Sequence, residues 1–172
     1  FRRVLFRSSQ NEPNVKIIEY GKTYEGRPLM LAFISSVDNM DKLEQIRKDN
    51  LTRAGIIKGS TKTKKVGIVW LSYNVHGNEA NSTEAAMKTL HALSDKSNIN
   101  TQEWLKNTVV IIDPSVNPDG RDRYANWYRM TANRWPDADP LGREHMEPWP
   151  GGRTNHYYFD LNRDWAWQTQ IE

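Results

Sequence analysis

Cysteine is absent from the 172 residues. A disulfide framework and a thiolate zinc site are therefore excluded, although the redox compartment is not fixed. No apolar run approaches the ~20 residues that a bilayer-spanning helix needs, so no membrane segment is expected. Internal repeats and low-complexity stretches are also missing. Charge of one sign is scarce: 24 basic residues face 21 acidic ones, for a net +3. Three of the positive charges, Arg2, Arg3 and Arg7, lie in the first eight residues, "FRRVLFRS". That stretch has no initiating Met, no h-region and no cleavage site, so it is not a signal peptide. It reads as the in-frame translation of a sequencing-adapter oligonucleotide, foreign to the protein. Subtracting its three arginines takes the net charge from +3 to 0. The case for nucleic acid or another acidic partner goes with them.

What remains is ordinary globular composition, 37% hydrophobic and 26% charged, enough for one domain with a core over 9–172. Strand-like runs fall at about 15–20 and 29–35, joined through Gly21, Gly26 and Pro28. "NMDKLEQIRKDN" reads as helix, with Leu43 and Ile46 three apart. "TKTKK" is an exposed loop. "VGIVWLSYNV" (66–75) is nearly continuous and apolar, a pattern suited to a strand buried on both faces. A helix over 80–94, a short helix at 101–106 and a second buried strand at 108–116 follow. Strand, helix, strand implies a right-handed crossover and parallel pairing. From Asn117 to Tyr158 Pro, Gly, Asp, Asn, Arg and aromatics dominate, which predicts a long ordered loop held by its tryptophans. The last residues, "FDLNRDWAWQTQIE", read as the start of a helix.

His76 and Glu79, in "HGNE", stand directly after the apolar run. Ligand sites in open α/β sheets form outside the carboxyl ends of strands, and Gly77 and Asn78 suit a tight turn there. An imidazole nitrogen and a carboxylate oxygen both suit Zn²⁺. Two histidines, one glutamate and a water make a hydrolytic zinc site. Spacing alone also fits a structural histidine in a βα turn. No other histidine completes the set. His91 belongs on a helix surface, His145 in a loop of mixed charge, and His156 near the end of the aromatic-rich segment, where it orients the loop.

Four segments in this order resemble the zinc carboxypeptidase family of the carboxypeptidase A type: "GKTYEGRPLMLAFIS", "HGNE" (76–79), "NPDGRDRY" (117–124) and "DLNRDW" (160–165). The likeness covers about residues 12–172. It implies an α/β fold with a mixed, largely parallel central sheet flanked by helices, incomplete in this chain. It implies that His76 and Glu79 bind Zn²⁺ and that Asn162 and Arg163 hold the terminal carboxylate of a peptide. A guanidinium fork suits that task. A family arginine stabilises the oxyanion; Arg134, Arg143 and Arg153 are candidates, with Arg153 preferred. Partners would be peptide or protein C-termini, and the location secreted or periplasmic rather than cytoplasmic.

Departures from the family pattern point to a divergent bacterial branch. Asn78 stands where digestive members carry arginine, and Asp164 and Trp165 where asparagine and phenylalanine are usual. No segment matches the family's later histidine ligand, general-base glutamate or capping tyrosine. The chain is accordingly expected to be the N-terminal part of a catalytic domain, inactive alone. Two alternatives share its motifs: a zinc-dependent N-acyl amino acid deacylase of the aspartoacylase type, and a non-catalytic peptide-binding relative.

Overall fold

The computed structural model describes residues 12–172, so the adapter-like first eight residues lie outside the described part. Four strands form one sheet in the order β1-β2-β4-β3: β1 (Val15–Lys22), β2 (Pro28–Ile34), β3 (Gly67–Ser72) and β4 (Thr108–Asp113). The helices are α1 (Val37–Met40), α2 (Leu43–Arg53), α3 (Ser82–Ser94), α4 (Ile99–Leu105) and α5 (Pro118–Thr131). β2 and β4 run antiparallel, with Phe33 opposite Ile111. Between β3 and β4 the bonded partners rise together: Gly67 N–H to Asn107 O, Val116 N–H to Tyr73 O, Asn117 N–H to Asn74 O. Rising partners mark a parallel pair. The expected mixed α/β sheet is therefore present.

The chain divides into two compact units. The first holds residues up to Ile18, Leu31–Leu71 and Met87–Asp113. Its core joins Leu31, Ile46, Val66, Val109 and Ile111, with Ile18, Phe33 and Leu43 packed against them. Alternate residues Ala32, Ile34, Val110 and Ile112 are buried as well, so β2 and β4 are covered on both faces, as their unbroken apolar runs require. β3 differs from expectation. It ends at Ser72, and Ile68, Val69 and Trp70 are 42%, 44% and 59% exposed. Its apolar run records a preference for two-sided burial, but an edge position leaves the strand open.

The loop before β3 is held by Asp49. This buried carboxylate accepts from the Lys62 and Thr63 N–H groups, the Thr63 hydroxyl and the Gln45 amide. The Thr63 hydroxyl contributes most, and together these bonds hold the carboxyl down at about 2.

The second unit comprises Glu19–Met30, Ser72–Ala86 and Pro114–Glu172. Here the segment expected to be loop contains α5. "NPDG" is its start: Asn117 caps, its Oδ1 accepting the Gly120 N–H at 2.8 Å, and Pro118 opens the first turn. Turn-forming composition masked a helix that begins with a capping residue and proline. Asp119, in that first turn, is buried and accepts from the Thr23 hydroxyl at 2.7 Å and Arg27 at 2.8 Å. After α5 the chain is irregular apart from two 3-10 turns, Arg143–His145 and Leu161–Arg163. The C-terminal residues do not continue as a helix. Asp164 instead accepts from the Thr169 and Gln170 N–H groups and folds the chain back.

Tryptophans hold the 117–158 segment only in part: Trp127 packs against Tyr124 and Tyr128 and Trp149 against Tyr158, but Trp135 and Trp149 are exposed. Arg123 does more. Its guanidinium donates to the carbonyls of Pro150, Gly151 and Asn155 and lies 5.5 Å from the Tyr158 ring centre. Glycine completes the arrangement. A Cβ on Gly77 would fall 2.2 Å from Arg121 N and Gly120 C, and 2.5 Å from Gly152 O.

Two outcomes follow. Asp49→Asn lowers the melting temperature by several degrees at neutral pH. A depressed carboxyl stabilises above its unfolded value near 3.8 and loses that contribution as pH falls through about 2. The gap between wild type and variant in thermal melts therefore closes between pH 4 and 2. Gly77→Ala costs about 3 kcal/mol in urea unfolding, because backbone must move. Gly26→Ala, at φ +78° in open space, costs only about 1–2 kcal/mol.

Candidate metal and carboxylate site

The second unit brings several of the expected site residues together. After β3 the chain reverses through Asn74, whose φ of 55° suits asparagine. The Asn74 side chain is buried and donates to the carbonyl of His76 at 2.8 Å, while its Oδ1 accepts the Ser115 hydroxyl at 3.0 Å. This local bonding shapes the turn that presents His76 and Glu79. Gly77 is required there for space, since its φ is not in the left-handed region.

His76 is 8% exposed, and each ring nitrogen faces a carboxylate. Nδ1 lies 2.9 Å from Glu79 Oε1, and Nε2 lies 3.0 Å from Asp160 Oδ1. A neutral imidazole carries one N–H and can donate to only one of them. The other nitrogen and its facing oxygen are both lone-pair donors, an arrangement that calls for a proton or a metal ion between them. Imidazole and carboxylate are suitable Zn²⁺ donors, so the pair fits as part of a ligand set. Among the described residues no group of three or more His, Cys, Asp or Glu side chains is arranged to hold a metal.

Asp160 was not singled out from the sequence, although it lies within "DLNRDW". It accepts from His76 and the Asn162 N–H at 3.0 Å on one oxygen, and from Arg153 at 3.0 Å on the other. Burial works to raise its carboxyl, but the bonds from His76, Asn162 and Arg153 outweigh it and hold the group below the usual carboxylate value. Asn162 and Arg163 follow on the 3-10 turn that Asp160 caps, and both are exposed. Of the three candidate arginines, Arg153 alone joins this network, and Asn117 Nδ2 holds its carbonyl at 3.2 Å. Arg134 lies over the Trp135 ring, and Arg143 is exposed in the first 3-10 turn.

The other histidines lie apart from this network. His91 is exposed on α3, and His145 faces the Asp137 carbonyl at 2.7 Å. His156 binds Glu25 at 3.0 Å and packs edge-on against Tyr157, fixing the loop as expected. Asn74, Asn117 and Asp160 are the residues that sequence reading missed. Asn117 and Asp160 open quoted motifs and Asn74 shortly precedes one, but each role depends on a partner distant in the chain.

Solved structures resemble this fold at low identity. A chain assigned as a carboxypeptidase A in Shewanella denitrificans OS-217 matches with a TM-score of 0.58 at 20% identity, over 96% of this chain and 30% of its own. A metallo-carboxypeptidase from Burkholderia cenocepacia gives 0.57 at 17%, over 95% and 31%. Carboxypeptidase A from Helicoverpa armigera gives 0.51 at 19%, over 88% and 25%. The chain thus spans less than a third of the length of these proteins. A comparison with curated protein sequences finds no match. Residues 3–171 match the sequence model of the zinc carboxypeptidase family, Peptidase_M14, and the chain belongs to that family.

Proposed function

We propose that this chain supplies two ligands of a catalytic zinc and the carboxylate clamp of a metallocarboxypeptidase acting at peptide C-termini. The His76 ring carries this reading, with one nitrogen against Glu79 and the other against Asp160. Nδ1 and Glu79 would hold the metal. Nε2–H would donate to Asp160, which fixes the ring's tautomer and direction. Bound zinc would polarise the scissile carbonyl and activate water.

The clamp follows from Asn162 and Arg163. Arg163 is exposed and carries no ion pair among the described residues, so its fork is available to a substrate carboxylate. Such recognition selects a chain end over an internal bond. Arg153 is the candidate for the developing oxyanion; its present partner is Asp160. The remaining ligand and general base would come from polypeptide beyond this chain, consistent with its spanning about 30% of the matched Shewanella chain.

Titrating the 172-residue chain with Zn²⁺ should shift the His76 imidazole ¹⁵N signals. Glu79→Ala should weaken that binding at least about tenfold. No peptide hydrolysis is expected from the zinc-soaked chain, and robust turnover would refute the division of the site. In the complete enzyme, Arg163→Ala should lower kcat/KM for peptides with free C-termini by about 100-fold, equivalent to about 2.7 kcal/mol. Equal turnover of N-acyl amino acids by that enzyme would point to a deacylase instead.

A further inference from the structure

Glu147 lies in the irregular segment after α5, outside every motif noted in the sequence. Its two carboxylate oxygens reach in different directions. Oε2 accepts the side-chain amide of Asn78 at 2.8 Å, and Oε1 accepts the N–H of Gly152. Asn78 lies between His76 and Glu79 in the same turn, and Gly152 immediately precedes Arg153. One side chain therefore ties the candidate metal-binding turn to the loop that carries the candidate oxyanion arginine.

The surroundings support a fixed geometry. Glycine at 151 lets the carboxylate approach, since a Cβ there would lie 2.8 Å from Glu147 Cδ. A Cβ at Gly152 would meet Gly120 O at 2.5 Å and Asn78 N at 3.3 Å, so the two segments run backbone against backbone. Tyr124 stands nearby, its phenol pushed up by burial and by the Glu147 charge. Two bonds from one charged acceptor are stronger than neutral ones, and they fix the relative position of both donors.

We propose that Glu147 is a positioning residue for the zinc site, holding the 76–79 turn through Asn78 and the Arg153 loop through Gly152. The proposal rests on the assignment of His76 and Glu79 as zinc ligands. It adds a residue that touches neither metal nor substrate, and it gives Asn78 a task. Where arginine would bring a charge of its own, an asparagine amide reaches the carboxylate as a neutral donor.

The test is Zn²⁺ titration of the 172-residue chain, followed at the His76 imidazole ¹⁵N signals, with amide hydrogen exchange of Gly152 measured on the same samples. Glu147→Ala should weaken zinc binding roughly tenfold, in the range expected for supporting partners, and speed Gly152 exchange. Glu147→Gln keeps one acceptor oxygen and should fall between the two. Asn78→Ala, which leaves the Gly152 bond intact, should weaken zinc binding without changing Gly152 exchange. Unchanged zinc affinity in all three variants, with wild type binding, overturns the proposal alone. Failure of wild type to shift the His76 signals even with Zn²⁺ in the large excess that a two-ligand site requires overturns the ligand assignment itself. Should Glu147→Ala fail to fold, Glu147→Gln and Asn78→Ala decide the matter.

Discussion

Three stretches of backbone meet at Gly77, Gly120 and Gly152 with no room for a methyl group. The second unit depends on that contact. The turn after β3, the first turn of α5 and the loop before Arg153 can approach only because none of them carries a side chain there. Close backbone approach leaves polar groups to be satisfied, and buried polar groups need partners. Asn74, Asn117 and Glu147 provide bonds between the segments: each is anchored in one of the converging segments or beside it and bonds to another, Glu147 through Asn78. The candidate site is therefore built from turns, with strands and helix serving to deliver them.

Electrostatics then orders the site around Asp160. One carboxylate receives an imidazole, a backbone N–H and a guanidinium. Three donors on two oxygens keep it ionised, and an ionised Asp160 can hold a histidine ring in one orientation. The same carboxylate caps the 3-10 turn that bears Asn162 and Arg163. The direction of the His76 ring and the position of the turn that bears Asn162 and Arg163 are thus both tied to one group.

Much of this was legible in the sequence. Hydrophobic runs located all four strands, and the order strand-helix-strand gave the parallel pairing of β3 and β4. "HGNE" and "DLNRDW" marked the segments that meet. What the sequence did not disclose depends on neighbours. α5 was hidden because capping residues and loop residues are the same types, and only the Asn117 bond to Gly120 tells them apart. The openness of β3 depends on its place in the sheet, which no local pattern encodes. The exposure of several tryptophans departs from expectation because hydrogen bonds from Arg123 and Asn155 order much of the loop: Asn155 Oδ1 accepts the N–H groups of Tyr157 and Phe159.

The two edges of the sheet are unlike. β1 carries Lys16, Glu19 and Lys22 along its length, charges that discourage an incoming strand. β3 carries none between Gly67 and Ser72 and shows water an isoleucine, a valine and a tryptophan. Its nearest charges are the lysines of the preceding loop. Among the described residues, β3 is therefore an open edge with unused hydrogen-bonding capacity beside an apolar face.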